Sequence, residues 1–541
     1  KIMPRLTLNL GIRYDYYQPT QERHDNQANW YPTAINGPGS GTANYVLINS
    51  KRNVPLAPTF LNLLATNNIN LVYSGNRSLV NSQYTNISPR VGFAYSPTDR
   101  FVVRGGFGLF YGGLESIGGA PNPGFNYPFS FSSGFTAPGC STTADVCPTD
   151  GLTLATGFQN AINQGLQNFL NTPGLVGSQT QFRSSYSEQF NLATQYAISP
   201  TLSLTTAYVG NVSRRLTAFP DQNAPLGLVG PGDNSQNIRP FPGFGGSQFD
   251  SYEGVASYNS GQVTLEKRNA KGLYFLATYT YSHALDDTAT PLDGGANIYR
   301  SALVVPVGYE YTNSDWDVRH RVTLNASYQL PFGKRREFLD RGGVLNEVVG
   351  GWAADLVFVA QTGNPFTVSP NNSKANGATA ARAVLLHDPY RSGGSPDPSN
   401  AGTQCATKTR NITNWFNPCA FGNPLPASDI PNTQTAADPI GHPLTTISAV
   451  LPYLGTARNQ VYGPGYQRIN MSVFKNFSTF ESQYLQVRAD IFNLFNTPAF
   501  GQPGNGSAND NSTGGQISNT RSLGAFTPNP RFLQLAAKYY F

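Results

Sequence analysis

Apolar and polar residues alternate along many segments of this chain. Between Leu6 and Tyr16, every even position is apolar or aromatic and every odd position is polar or glycine. Because successive side chains of a β-strand point to opposite faces, this pattern predicts a strand with one apolar and one polar face. Ordinary strands have about 5–6 residues, whereas a tilted strand that crosses a bilayer needs about 9–11. The length of this segment favours a membrane-spanning strand.

The same alternation recurs and predicts about twelve strands. They lie in the segments 6–16, 91–95, 103–111, 190–196, 202–208, 263–265, 275–281, 322–330, 352–360, 469–473, 485–491 and 533–541. Short turns, such as 96–100 and 199–201, join the strands on one side. The connections on the other side are long, at approximately 18–86, 113–183, 211–256, 285–317, 364–465 and 496–529.

This asymmetry between short and long connections determines the predicted fold class. Compact soluble domains rarely contain loops longer than about 15 residues, whereas outer-membrane barrels combine tight periplasmic turns with long extracellular loops. A sheet in lipid must pair its backbone groups by closing on itself. We therefore predict an all-β fold, an antiparallel transmembrane β-barrel in the cell outer membrane. The alternative, a soluble β-sandwich or propeller array, predicts shorter strands, balanced loops and more surface charge.

Composition supports a membrane barrel and excludes other classes. Charged residues make up 12% of the chain, about half the usual fraction of about 25%. No apolar run reaches the length of about 20 residues that a transmembrane helix needs. In the second long loop, helical spacing of the apolar residues predicts one short helix, with Ala155, Phe158, Ile162, Leu166 and Phe169 on its apolar face.

The net charge of +6 is small for 541 residues. The densest basic cluster is Lys334, Arg335 and Arg336, which a solvated turn explains better than a nucleic-acid site. We therefore expect no nucleic-acid partner.

The cysteines form two local pairs, Cys140 with Cys147 and Cys405 with Cys419, in segments that resemble loops. Local pairs suit small disulfide-closed loops in an oxidising compartment. Free thiols are the alternative, while the tight spacing of a zinc site is absent. We expect two disulfides.

Four segments resemble the TonB-dependent transporters of the Oar-like group. They are the strand 4–16, the segments 317–322 and 330–334, and the segment 488–498 with the sequence Arg-Ala-Asp-Ile-Phe-Asn-Leu-Phe-Asn-Thr-Pro. The end of the chain is similar to the assembly signal of outer-membrane proteins, with Leu533, Leu535, Ala537, Tyr539 and Phe541 in alternate positions.

The resemblance implies an energised importer with a plugged barrel of about 22 strands. It also implies an N-terminal plug, a short TonB-contacting box and a carboxypeptidase-regulatory-like domain, none of which is recognisable in this chain. The chain begins within a strand pattern and shows no signal peptide, so we expect a mature or truncated segment. About twelve predicted strands against about 22 predict that it is the C-terminal part of a larger barrel. The expected partners are outer-membrane lipid, the TonB complex through the missing N-terminal region, the barrel assembly machinery, and an unknown small substrate or peptide.

Alternation also selects candidate residues for the barrel lumen. The polar positions of the predicted strands include Arg13, Asp15, Arg104, Arg321, Gln329, Arg488 and Asp490. We expect them to bond one another or a plug before any ligand.

Motifs for catalysis or cofactor binding are missing. The histidines lack metal-ligand spacing, with His320 between two arginines. Asp286, Asp287 and Asp293 offer carboxylates for a cation at the mouth, but calcium needs about six or more oxygens and the EF-hand spacing is absent. We expect no enzyme, metal or cofactor. The main hypothesis is TonB-energised uptake, and the alternatives are surface adhesion, a structural role or a passive porin-like barrel.

Overall fold

The computed structural model describes residues 3–113, 122–130, 173–287, 309–340, 342–378, 381–480, 483–507, 514–521 and 530–541. The strands in these ranges are β1 (Leu6–Tyr14), β2 (Ala28–Ile35), β3 (Gly41–Ile48), β4 (Ile69–Ser74), β5 (Ile87–Thr98), β6 (Phe101–Tyr111), β7 (Leu175–Ser178), β8 (Tyr186–Ser199), β9 (Leu202–Ala218), β10 (Ser247–Ala270), β11 (Leu273–Asp286), β12 (Thr312–Asn313), β13 (His320–Gln329), β14 (Trp352–Gln361), β15 (Pro365–Phe366), β16 (Val384–Leu385), β17 (Phe421–Gly422), β18 (Val461–Tyr462), β19 (Tyr466–Ser478), β20 (Tyr484–Phe492) and β21 (Phe532–Tyr540).

Helices are few in the same ranges. The α-helices lie at Pro58–Thr66, Val344–Val349 and Ile447–Leu454, and short 3-10 turns lie at Asn49–Lys51, Pro123–Phe125, Ser235–Ile238, Pro398–Asn400, Pro418–Ala420 and Ala427–Asp429. Within the described part of the chain, no helix has the length and apolar character needed to cross a membrane. The helix predicted around 155–169 lies outside the described residues.

Twelve long strands form one continuous ladder in the order β1-β5-β6-β8-β9-β10-β11-β13-β14-β19-β20-β21. Every neighbouring pair in this order is antiparallel. The predicted all-β antiparallel architecture is confirmed. In the described residues, β1 and β21 pair with one neighbour each. Complete pairing of the sheet in lipid therefore requires these edges to meet each other or further strands.

The register of the ladder separates two faces. Residues that lie directly opposite each other project to the same side of a sheet, and one such row crosses eight strands as Phe101, Tyr196, Leu204, Leu265, Ala277, Leu324, Phe358 and Ile469. On the same face of β1, Leu10 and Ile12 are 74% and 78% exposed. This apolar face is the one that lipid covers.

Two glycines on the lipid-facing side leave room for aromatic rings. Phe93 lies directly opposite Gly105, and Phe190 lies directly opposite Gly210. In each pair the phenyl ring lies over the glycine, where an added Cβ would overlap it. Each ring therefore occupies a site that only glycine offers.

The strands on the long-loop side extend beyond their predicted ends. The sequence pattern places a loop at 211–256, whereas β9 continues to Ala218 and β10 begins at Ser247. The start of β10 also pairs in parallel with β7. β9 and β10 therefore continue through backbone pairing beyond the point where their apolar and polar side chains stop alternating.

The long connections fold into a packed cap at the long-loop end of the sheet. In its first part, the sheet β2-β3-β4 and the helix Pro58–Thr66 surround a core. The fully buried rings of this core include Trp30, Tyr45, Phe60, Phe241 and Phe244. Trp30 and Phe241 meet edge to face, with ring centroids 5.5 Å apart. These rings come from two different long connections, so the core joins them.

A second part of the cap is built from the segment 362–465. One cluster packs Leu228 against Ile430, Val450 and Leu454, and a neighbouring cluster contains Phe416, Phe421 and Val461. Cys405 and Cys419 form a disulfide beside the latter cluster. Burial of each large apolar side chain stabilises such a cluster by about 1.5–3 kcal/mol. Cys140 and Cys147 lie outside the described residues.

Candidate functional site

The inner face of the sheet carries the polar residues that alternation selected. One row crosses the ladder from Arg104 through Ala193, Ala207, Gln262 and Thr280 to Arg321. A second row connects Gln329 through Ala353 and Phe474 to Arg488. Both rows lie opposite the lipid-facing side. The register therefore places these candidates on one surface, while a contact with substrate stays a prediction.

Several of these residues bond one another instead of standing free. Arg13 donates from Nε to Oδ1 of Asp15 at 2.7 Å, just beyond the end of β1. Arg488 donates to Asp490 at 2.6 Å and to Ser472 at 2.9 Å. The structure thus joins two pairs of candidates and leaves Arg104 on a separate part of the face.

The remaining candidates bond residues close to the two ends of the strands. Arg321 donates to the side-chain oxygen of Gln361 at 3.1 Å. Gln329 accepts a hydrogen bond from Arg336 at 3.1 Å. These bonds fix polar groups at opposite rims of the inner face, one near the long loops and one near the short turns.

At the long-loop end, five buried or half-buried charges meet. We call Asp286, Glu310, Asp315, Arg382 and Arg458 the mouth cluster. Arg382 donates to both carboxylate oxygens of Glu310, at 2.8 and 2.7 Å. Arg458 forms an ion pair with Asp286 and lies 3.5 Å from the Asp315 carboxylate. The cluster joins the end of β11 to two long connections of the cap.

Four of the five residues of the mouth cluster are buried, and Asp315 is about half exposed. Glu310 is 3% exposed, Arg382 7% and Arg458 9%. Removing one partner of a buried ion pair typically costs about 3–5 kcal/mol, because the other charge remains without compensation. These charges therefore hold the mouth in one arrangement.

A second set of polar contacts surrounds Asp317, the first residue of the segment 317–322. Asp317 is fully buried. It accepts from the Ala284 amide at 2.7 Å, from the Tyr462 hydroxyl at 2.7 Å and from Arg319 at 2.9 Å. Burial, together with the neighbouring Asp317 carboxylate, raises the pKa of Tyr462 to about 12. The tyrosine hydroxyl therefore stays protonated and donates to Asp317.

Two carboxylates of the candidate cation site at the mouth, those of Asp286 and Asp287, bond protein groups. Asp286 pairs with Arg458, and Asp287 accepts from the Val255 amide at 2.8 Å. Asp293 lies outside the described residues. Among the residues for which coordinates are described, no group of three or more His, Cys, Asp or Glu is arranged to hold a metal ion.

A further buried carboxyl lies where β10 meets β7. Asp250 is 6% exposed, and its Oδ2 lies 3.4 Å from the Tyr252 hydroxyl. Its Oδ1 has no hydrogen-bond partner within the described ranges. Burial raises the pKa of Asp250 to about 7, although hydroxyls of Tyr252 and Ser178 oppose this shift.

Sequence reasoning missed every member of the mouth cluster except Asp286, and it also missed Asp250. Arg458 and Asp286 are 172 positions apart, and neither belongs to a motif. One signal was available, since charged residues are rare in this chain and several lie within long connections rich in glycine and proline. A charge in such surroundings is a candidate for a buried pair.

The C-terminal candidates occupy the last strand of the ladder. β21 pairs with β20 and carries Leu533, Leu535, Ala537 and Tyr539 on the lipid-facing side. Phe541 follows the strand and is 98% exposed. Recognition of these residues during assembly stays a prediction.

Solved structures that are similar to this chain include a transporter and two receptors. They include the outer membrane transporter YddB from Escherichia coli, with 10% identity, 85% of this chain and 41% of that chain covered, and a TM-score of 0.40. The ferric-catecholate import receptor Fiu from K12 E. coli has 12% identity, coverage of 100% and 43%, and a TM-score of 0.35. The siderophore receptor PiuA from Acinetobacter baumannii has 9% identity, coverage of 84% and 36%, and a TM-score of 0.35.

The chain spans less than half the length of each of these proteins. The comparison with curated proteins finds no match. The family described as outer membrane beta barrel domain matches residues 1–534. Together with the lipid-facing side of the sheet, this match places the protein in the outer membrane, and the chain belongs to the family of outer membrane beta barrel domains.

Proposed function

We propose that this chain forms the barrel wall of an outer-membrane transporter that takes up a small substrate or peptide. The observation that supports the proposal is the polar inner face of a sheet with twelve long strands. Barrels of about eight strands fill their interior with their own side chains, whereas wider barrels enclose water or a plug. A wall of this width therefore surrounds a space through which a solute passes or in which a plug resides.

Energy from the TonB complex is part of the proposal. Its basis is the resemblance of the segments 4–16, 317–322 and 488–498 to Oar-like transporters. Coupling would act through an N-terminal region with a plug and a TonB-contacting box. The barrel assembly machinery would insert the protein, with the last strand as its signal.

A catalytic role is not part of the proposal. The charged groups at the mouth and on the inner face form ion pairs. Arg458 pairs with Asp286 of a separate element, and Arg488 pairs with Asp490 within β20. A general acid or base needs a titrating group that reaches a substrate. Charged groups that are held in ion pairs suit a structural role in the barrel wall better than acid–base catalysis.

Uptake tests the proposed function directly. Strains that express or lack the full-length protein are grown in TonB-competent and TonB-deficient backgrounds, and depletion of solutes from a peptide-rich medium is followed by mass spectrometry. We expect at least one solute to be depleted only when the protein and TonB are both present. Equal depletion in all four strains would contradict energised uptake, and depletion that needs the protein but not TonB would indicate a passive pore.

The intact mass of the protein extracted from outer membranes tests the larger barrel. We expect a mass far above the 58.4 kDa of this chain, because further strands and a plug would belong to the same polypeptide. A mass near 58.4 kDa would favour a self-contained barrel of twelve strands and a passive pore or an adhesin.

Surface adhesion is the second candidate function, and the folded cap favours it. The cap has packed cores and presents exposed aromatic residues such as Tyr84 and Trp316, which are 66% and 69% exposed. Exposed aromatic side chains often contribute strongly to protein contacts. A deletion strain that loses attachment but keeps all uptake would support adhesion in place of transport.

A further inference from the structure

Two neighbouring turns at the short-turn end of the sheet carry exposed apolar residues. The turn 330–351 joins β13 to β14, and the turn 479–483 joins β19 to β20. β14 pairs with β19, so the two turns are neighbours. The apolar residues are Phe338, Leu339, Val344, Val348 and Phe480, which are 51%, 49%, 81%, 63% and 66% exposed. We call these five residues the turn patch.

The helix Val344–Val349 in this turn is held at the lipid-facing side of the sheet. Trp352 and Lys475 lie directly opposite each other, in the alternating positions that continue the lipid-facing face. The Trp352 indole donates to the Val348 carbonyl at 2.9 Å. The Lys475 ammonium donates to the carbonyls of Glu347 and Asn346. Two lipid-facing side chains therefore bind the same short helix.

Lys475 shows why the helix is needed at this place. A lysine in a lipid-facing position is costly unless its charge reaches a polar partner. Lys475 is 3% exposed, and its Nζ lies 4.9 Å from the Phe477 ring and 5.9 Å from the Trp352 ring. The carbonyls of the helix supply the polar partners, and the helix becomes part of the lipid boundary.

We infer that the turn patch inserts into the phospholipid leaflet on the periplasmic side of the outer membrane. Val344 and Val348 are four positions apart, lie on one side of the helix and are both exposed. The apolar lipid-facing surface of the sheet thus continues into the turns through Trp352. Apolar side chains at an interface bury themselves about 5–10 Å into the boundary between headgroups and acyl chains.

Spin-label accessibility tests this inference in membranes. In a full-length protein with Cys140→Ala and Cys147→Ala, nitroxide labels are attached at Val344→Cys and Val348→Cys. Asp99→Cys, in the short turn between β5 and β6, is the aqueous control, since the Asp99 side chain is 96% exposed. Leu192→Cys, on the lipid-facing side of β8, is the lipid control. Collisions with oxygen, which concentrates in lipid, are compared with collisions with a water-soluble nickel chelate.

We expect the oxygen-to-nickel collision ratio at positions 344 and 348 to be several-fold higher than at position 99 and to approach the ratio at position 192. The measurement uses vesicles of phosphatidylethanolamine and phosphatidylglycerol, and circular dichroism checks that every labelled protein is folded. A ratio at positions 344 and 348 equal to that at position 99 would overturn the inference. Labels shielded from both reagents in native outer membranes, but open to nickel in the vesicles, would also overturn it and would indicate a periplasmic protein.

Discussion

Replacing Asp250 by asparagine should remove a pH dependence from the junction of β7 and β10. The carboxyl is buried and its pKa is raised to about 7, whereas an unfolded aspartate titrates at about 3.9. The folded junction therefore holds a proton that the opened junction releases between these two values. Stability from this proton is fully present below about pH 4 and is lost as the pH rises through about 7.

The magnitude follows from the difference between the two pKa values. One pKa unit corresponds to about 1.4 kcal/mol, so a difference of about three units gives about 4 kcal/mol. This value is an upper limit for the loss of stability at the junction, because opening of the junction exposes the carboxyl only in part. Asparagine has nearly the shape of a protonated aspartate and does not ionise. The variant should therefore keep the low-pH stability of the wild type at every pH.

Hydrogen exchange measures this effect at the junction itself. The amides of Leu175 and Gln179 donate to the carbonyls of Gly246 and Asp250. Their protection, corrected for the intrinsic pH dependence of exchange, should fall in the wild type between pH 4 and pH 8. In Asp250→Asn it should stay constant, and Asp429→Asn, which changes an exposed carboxylate, should behave as the wild type. Constant protection in the wild type, or an unchanged slope in Asp250→Asn, would refute the reasoning.

Three other perturbations test separate parts of the structure. Arg458→Met leaves the carboxylates of Asp286 and Glu310 without this partner, so we expect a loss of about 3–5 kcal/mol and faster proteolysis of the segment 309–319, while Lys408→Met at an exposed position should have no effect. Unchanged proteolysis of the arginine variant would show that the mouth cluster does not hold this segment. Cys405→Ser opens a disulfide with a sequence separation of 14 and should destabilise the neighbouring part of the cap by about 3 kcal/mol, measured by thermal unfolding. Non-reduced peptide mapping should find this bond and a second one between Cys140 and Cys147, and free thiols at all four positions would contradict the pairing. Deletion of Phe541 should lower the amount of protein assembled in the outer membrane severalfold in fractionated cells, whereas an unchanged amount would argue against a terminal assembly signal.

The ladder could be predicted from the sequence because its signal is local. Alternation in a segment such as 322–330 defines both the strand and its two faces. Arg321 and Val322 could therefore be assigned to opposite faces of the sheet from the sequence alone. The short turns follow from the same pattern, whereas the register does not, because a shift of two residues keeps the same faces. Only the strand ends outside the membrane deviate, since pairing of β10 with β7 depends on backbone groups rather than side chains.

The cap and the mouth cluster could not be predicted in this way. Trp30 packs against Phe241, and Leu228 packs against Val450, from connections far apart in the chain. No period links such residues, and the glycine and proline of these segments also suit unstructured loops. Buried pairs such as Arg382 with Glu310 depend on that packing. Their charge was visible in the sequence, but their partners were not.

The rings of Phe93 and Phe190 over glycine have a consequence for assembly. A shift of two residues between paired strands keeps the same side chains facing lipid, so contact with hydrocarbon does not distinguish the correct alignment from the shifted one. Shifted by two, Phe93 would lie opposite Val103 or Phe107 instead of Gly105, and the ring would meet a Cβ. The two glycines therefore favour the observed register of the pairs β5–β6 and β8–β9 over registers shifted by two residues.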